Sequence, residues 1–574
     1  MIFLLFHVLF STALAFLGAT LFGNLTPLIA AVSITLACPL SNWSSQEILG
    51  AFPGLKWRSF TPGIPGKFEM FLFALLLLFA TRQFAFLLTP SPTGIHTLNQ
   101  NNLGDLPCHI NYIRAMAGGA VFPIPNPEFA SEPLRYPFGI DLYNALWESL
   151  GIPLPSHLFL TGILLSATSL VVLRWFGGWW TISAFFLGGG AAGALSSADA
   201  LSVTSAIDWK NLFLSVFVTQ RGVLIALPVG CLLLQAWRLH VSDRTPLDTR
   251  VQCILGVTLG LLPFFHAHTF VAVSLFLLLT SLQEQGVGGF RKLALSPFLA
   301  TAFLPATYFV LSTSDRMQKA KIIGLEPFLQ KNAAFPSLWS QLWSNFGLWL
   351  ILPAALGFIL FYSRKTPGKQ TEMFRLVSLV LVFIVFLSIN FAPWPWDNIK
   401  LLIWPYLLLA QLAGELLDPL SPFFVRLALF GGFSISGLTS LFNSFGPPSL
   451  IARELYKKTD LNDTEGALKN LPPDSVFIAA PDFNHALTYF GRFRVLGYEG
   501  HLFSHAVDYR RTAQKQQAIF TGDPRWRELV GELHASHIFW GPAERALFGN
   551  ANREWMSELE NVSLVPGVAV YRIK

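Results

Sequence analysis

Charged and titratable side chains in this sequence gather at the ends of long apolar runs, where keeping a charge is costly and a reason for it is expected. Asp105 stands in Gly104-Asp105-Leu106-Pro107-Cys108-His109, ahead of Ile110–Ala117, which reads as a short amphipathic helix lying along a membrane. A carboxylate there suits a general base towards an acceptor hydroxyl or amine, or a metal ligand. The alternative is an N-cap, since Asp at a helix start accepts from free N–H groups. Arg135 and Tyr136 follow Glu132-Pro133-Leu134. The Arg135 fork fits a phosphate, and a surface pair with Glu132 is its other reading. Asp199, Asp208, Lys210 and Arg221 share a second polar stretch. Two acids there suit a divalent ion such as Mg or Mn, or the positioning of an acceptor. Arg221 begins an apolar run, level with a lipid phosphate, whereas Lys210 reads as snorkelling to headgroups.

Two further clusters complete the set. His266-Ala267-His268 separates two apolar runs, and both rings share a side only if the backbone is extended there. Two histidines make an incomplete metal site, so hydrogen bonding to a phosphate or sugar is equally open. Trp394-Pro395-Trp396-Asp397-Asn398-Ile399-Lys400 opens another apolar run. Interfacial tryptophans are anchors, but Asp397, Asn398 and Lys400 together are more than anchoring needs. Lys400 can counter a phosphate charge while Asp397 orients it.

The elements that must carry these residues are membrane helices. The chain is 53% hydrophobic and 13% charged, about half the charged share of soluble proteins. Past residue 445 the composition turns ordinary, with 15 Lys/Arg against 15 Asp/Glu, so the net charge of +6 belongs to the earlier part. Without a basic stripe interleaved with aromatics, that charge reads as membrane topology and excludes nucleic acid as a partner. Apolar runs from 1–21 to 420–441 predict about thirteen crossings, with separate helices at 156–175 and 178–197. Met1–Ala19 lacks the basic start and cleavage site of a signal peptide and counts as a helix. With residues 41–67 in the cytoplasm, the positive-inside rule holds, and the C-terminal end lies outside. The four cysteines show neither metal spacing nor a disulfide framework. The expected architecture is a polytopic α-helical membrane protein: residues 1–444 span, with a long outer loop at 90–155, and 445–574 form a small extracytoplasmic α/β domain. Within that domain Val476–Ala480, Arg494–Tyr498, His537–Trp540 and Val568–Ile573 read as strands, and His501–Phe520 and Pro524–His534 as helices. Its histidines, His501 and His505 among them, read as ordinary loop and core residues because no metal spacing joins them.

The segments Asp105-Leu-Pro-Cys-His109, Phe122-Pro-Ile-Pro and Glu132-Pro-Leu-Arg-Tyr136 resemble the first outer loop of GT-C-type membrane glycosyltransferases, in particular a bacterial branch of them. Trp396-Asp397-Asn398-Ile399-Lys400 resembles a later motif, and Gly497-Tyr-Glu-Gly-His501 with Ser504-His505 resembles part of the exported C-terminal domain. The resemblance implies an inverting hexosyl or pentosyl transfer in the plasma (inner) membrane of a bacterium. The donor would be a polyprenyl-phosphate sugar, used outside the cytoplasm on an acceptor glycan, lipid or protein. It places Asp105 as the first-loop acid and Asp199 or Asp208 as a second, all three possible metal ligands. His109, Arg135, Tyr136, Arg221, His266, His268, Asp397, Asn398 and Lys400 would bind the donor phosphate or substrate. The chain departs from better-known members in two ways: two helices precede the usual first one, and Asp105 lies some fifteen residues beyond its helix. The competing reading is a transporter or lipid-handling protein without catalysis; such proteins place polar residues near the bilayer midplane, whereas these clusters sit at helix ends.

Overall fold

Leu, Phe and Val fill long stretches with little polar interruption, and in the computed structural model those stretches are helices. The structure describes residues 1–55, 66–99, 101–190, 209, 211–242, 244–319, 337–366, 368–393, 395–419, 423–448, 452–549, 553–563 and 565–573. Among the described residues nine helices are long and apolar enough to cross a membrane. There are ten if the bent pair Trp339–Leu350 and Leu352–Tyr362 is one span. The chain is thus an integral membrane protein. The difference from about thirteen has local causes. Thr249–Phe265 and Pro297–Leu311 are apolar but short. The runs 156–175 and 178–197 join in one helical stretch, Leu154–Phe186, broken at Gly177 and Gly178.

That break is a reversal. Gly178 has φ +64°, open to glycine at little cost. Thr181 Oγ1 donates to the Leu173 carbonyl at 2.7 Å, although the two are eight residues apart. A straight helix would separate them by about 12 Å. The chain therefore folds back on itself at the glycine pair.

Side-chain pairs show which helix ends meet. At one end Arg174 donates to Glu69 at 2.6 Å, Arg238 and Arg375 both meet Glu415, and Trp180 donates to Asp418 at 3.0 Å. At the opposite end Phe122 N–H donates to the Gly23 carbonyl, which ties the turn after the first helix to residues 86–153. This segment holds β1 (Thr89–Pro90), β2 (Gly94–Thr97), the helix Asn102–Ala117, β3 (Pro125–Asn126), β4 (Phe129–Pro133) and the helix Gly139–Ser149.

The C-terminal residues are built onto that segment. Strand β5 (Arg453–Lys457) pairs antiparallel with β2, completing a sheet begun 360 residues earlier in the chain. Beyond it lies a five-stranded sheet in the order β7-β6-β8-β10-β9. Strands β6 (Val476–Ile478), β7 (Phe493–Arg494) and β8 (His537–Trp540) run parallel, whereas β10 (Ala569–Arg572) is antiparallel to β8 and to β9 (Glu560–Asn561). All four residues of β8 are buried, as a strand covered on both faces requires. Ile519, Phe520, Trp526, Val530 and Trp555 pack beside Ile538 and Trp540.

The helix Asn102–Ala117 differs from its expected form. It begins eight residues before Ile110 and passes through Pro107, whose missing N–H forfeits one bond near the start. It is buried along nearly its whole length, between the helices Gly139–Ser149 and Ala486–Tyr489, rather than lying on a membrane surface. Arg114 near its end donates to the Tyr489 carbonyl at 2.5 Å and stacks over the Tyr489 ring. Gly491 makes this contact possible: its φ is +66°, and a Cβ there would lie 2.5 Å from the Ala115 nitrogen.

Gly491→Leu should therefore detach the C-terminal residues from the helix Asn102–Ala117 without unfolding the membrane helices. A left-handed non-glycine residue alone costs roughly 1–2 kcal/mol, and the clash adds to it. Limited proteolysis should cut the variant between residues 445 and 574 faster than the wild type; equal rates would show that this contact does not hold the two parts together.

Candidate functional site

Asp105 is not a cap. The helix N-cap position is Asn101, and the half-buried Asp105 carboxylate accepts instead from the Gln220 side chain through Oδ2. It lies in the first turn of the helix. One turn on, His109 is buried and its Nδ1 lies 2.9 Å from Asp141 Oδ2, which fixes the ring. Tyr136 lies between these groups, within electrostatic reach of Asp105, Asp141 and Asp397 together. Its ring centroid is 6.0 Å from that of His109 and 4.4 Å from that of His505.

Arg221, next to Gln220, is wholly buried, and none of its three guanidinium nitrogens has a hydrogen-bond partner among the described residues. Asp141 is within electrostatic reach of it. Gly222 abuts the Phe265 carbonyl and the His266 side chain, so Arg221 and His266 come from adjoining backbone. His266 has the extended backbone expected of it, and its ring lies 5.7 Å from that of His268. Its Nδ1 accepts from Thr269 N–H at 3.2 Å, which leaves the proton on Nε2. That Nε2 is also buried without a partner among the described residues. His266 and His268 both feel Lys400, whose ammonium is 2.8 Å from Asp397. Burial would raise the Asp397 carboxyl, but Lys400, with His268 and His505, holds it below the ordinary carboxylate range.

The structure thus brings Asp105, His109, Tyr136, Arg221, His266, His268, Asp397 and Lys400 to one end of the helix bundle. Asn398 serves the backbone instead: its amide accepts from Phe391 N–H and donates to the Phe386 and Ile389 carbonyls. Arg135 is half-buried after β4. Asp199 and Asp208 lie outside the described residues.

A second cluster was hidden from sequence reasoning. Glu128, wholly buried, accepts from Arg494 at 3.0 Å through Oε1 and from His501 Nδ1 at 3.1 Å through Oε2. His501 Nε2 lies 2.9 Å from the Gly104 carbonyl, immediately before Asp105. Burial would raise the Glu128 carboxyl, yet Arg494 and His501 hold it at about 2. Burial would likewise lower His501, but Cys108 and Glu128 keep it well above its ordinary value. Cys108, Glu128 and His501 stand within metal-ligand distance of one another. They do not fit a metal. A carbonyl oxygen and an ionised carboxylate both require an N–H, so His501 has no lone pair to offer. Burial also pushes the Cys108 thiol up to about 11, away from the thiolate a metal needs. Asp105 belongs to no group of three potential ligands among the described residues. The only signal for this cluster in the sequence was the motif resemblance at Gly497–His505.

No protein family and no curated protein matches the sequence. Among the solved structures that are similar, two are of the oligosaccharyltransferase of Archaeoglobus fulgidus. One, tethered by a disulfide to an acceptor peptide containing the NVT sequon, is 10% identical with a TM-score of 0.45, over 83% of this chain and 70% of that one. The other, in the apo form, is 10% identical with a TM-score of 0.39, over 84% and 70%.

The buried ion cluster has a defined pH range. Glu128 contributes above the ordinary carboxyl value of 4.5, a contribution lost as pH falls through about 2. His501 contributes fully below 6.5, and its share is lost only as pH rises through its raised value. Proteolytic release of the C-terminal residues should stay slow between these limits and speed up in strong acid and in alkali. Glu128→Ala, which strands two buried cations at a cost of about 3–5 kcal/mol, should release them across the whole range. A pH-independent wild type that digests like the variant would count against the cluster as the tie.

Proposed function

We propose that this protein is a GT-C-type membrane glycosyltransferase, moving a sugar from a polyprenyl-phosphate donor to an acceptor at the extracytoplasmic face. The observation that carries this reading is Arg221. A buried guanidinium without a hydrogen-bond partner among the described residues is costly, so its surroundings suit an anion. The His266 Nε2–H beside it adds a second unmet donor, and Lys400 a second cation. In this reading these groups lie level with the phosphate of a membrane-anchored lipid.

The chemistry follows from the arrangement. The acceptor oxygen or nitrogen attacks the anomeric carbon opposite the phosphate, with inversion. The bond from that carbon to the phosphate oxygen breaks, and its electron pair leaves on the phosphate. Arg221 and His266 donate to that developing charge, where fixed donors in a dry site act most strongly. Asp105 takes the acceptor proton. Its Oδ2 is held by Gln220, leaving Oδ1 to face the acceptor. Base and phosphate pocket are thus set by neighbouring residues, 220 and 221. In this reading residues 445–574 are a domain on the same face.

Membranes carrying the protein should transfer label from a polyprenyl-phosphate sugar. Asp105→Asn keeps the shape and the Gln220 contact but removes the proton acceptor, and should slow transfer about 10²–10⁴-fold. Transfer at the wild-type rate would end the claim for Asp105 and move attention to Asp199 and Asp208. Arg221→Gln should weaken donor binding by at least about tenfold; unchanged donor affinity in that variant would remove the phosphate pocket and the reading with it.

A further inference from the structure

Far from this site a groove of about 250 Å³ opens between the helices Gly66–Ala85 and Phe423–Ser444 and the returning arm after Gly178. Its walls are apolar, with Leu72, Leu76, Ile182, Leu187 and Leu438 among them. Small residues leave the space: a Cβ on Gly431 would meet nothing within 4 Å, and Ser434 bonds Ser183 across the groove at 2.5 Å. From Arg426 to Leu441 the lining runs over sixteen residues, about 22 Å of helix. That exceeds half of a hydrocarbon core about 30 Å thick, so the groove can take the whole depth of one leaflet.

Its polar end is specific. Asp418 and Arg426 line it, at the bundle end opposite Asp397 and Lys400. Asp418 accepts from Trp180 Nε1 at 3.0 Å and lies within electrostatic reach of Arg426. Arg426 Nε is nevertheless buried without a hydrogen-bond partner among the described residues. A cation with an unmet donor and an anion thus line one end of the groove.

We infer that this groove is a binding site for a phospholipid with a primary-amine headgroup, drawn from the leaflet opposite the candidate active site. The lipid phosphate accepts from Arg426, its ammonium donates to Asp418, and an acyl chain fills the groove along Gly431 and Ser434. Charge pattern selects this occupant. A lipid with a net negative headgroup sets its phosphate against Asp418 with nothing to answer the carboxylate. A choline headgroup has no N–H to give it.

The test uses full-length protein, delipidated in detergent, offered dioleoyl phosphatidylethanolamine, phosphatidylcholine or phosphatidylglycerol, and read by native mass spectrometry. Phosphatidylethanolamine should be retained about tenfold or more over the other two, the range of a charge-assisted hydrogen bond. Arg426→Gln and Asp418→Asn should each erase that preference. Gly431→Phe should block the groove and lose the bound lipid, while helical circular dichroism stays at the wild-type level because the substituted position faces open space. Equal retention of the three lipids, preference for phosphatidylglycerol, or undiminished binding by Gly431→Phe would each overturn the proposal.

Discussion

A guanidinium removed from water needs a negative charge, and several arginines of this protein that are mostly buried meet that need with a carboxylate. Arg174 has Glu69, Arg238 and Arg375 share Glu415, and Arg494 has Glu128. Each pair crosslinks elements distant in sequence, because a helix in lipid has no water to substitute for a missing partner. Arg221 is buried as deeply and meets no hydrogen-bonding partner among the described residues. The other pairs tie elements together, whereas Arg221 has only Asp141 within electrostatic reach among the described residues.

What the sequence made legible follows from how local each signal was. Helices read from apolar runs appear close to where hydropathy put them, because lipid forces backbone bonds to close within a segment. The runs 156–175 and 178–197 meet at the Gly177-Gly178 break, where glycine permits the reversal. The extended backbone that brings His266 and His268 to one side was stated as a condition and is present. Asn398 was grouped with Asp397 and Lys400 by proximity in sequence, yet its amide is fully used in closing the turn before its helix. A capable polar side chain in a motif can serve the backbone alone.

Long-range partners were not legible. Glu128 and His501 are 373 residues apart, and no spacing rule links them. His501 reads as an ordinary loop histidine until β5 pairs with β2 and brings the C-terminal residues down onto the first loop. Two anchoring interactions then follow: Arg114 against Tyr489, and Glu128 against Arg494 and His501. The early start of the helix at Asn102 belongs to the same coupling, since a helix buried on nearly every side gains its stability from packing rather than from an amphipathic pattern.

This coupling bears on the chemistry through a single carbonyl. His501 bonds to the oxygen of Gly104, and Asp105 is the next residue. Gln220 approaches the same carboxylate from the membrane helices, next in sequence to the buried Arg221. Asp105 is therefore held from two directions, by the C-terminal residues behind it and by the helix bundle beside it. A base placed to within a fraction of an ångström of an acceptor depends on such support, because small displacements cost large factors in rate. In the proposed reaction, the residues after 445 then act on catalysis without touching the donor: they fix the first turn of the helix from which the base projects, while His505 brings its ring against that of Tyr136.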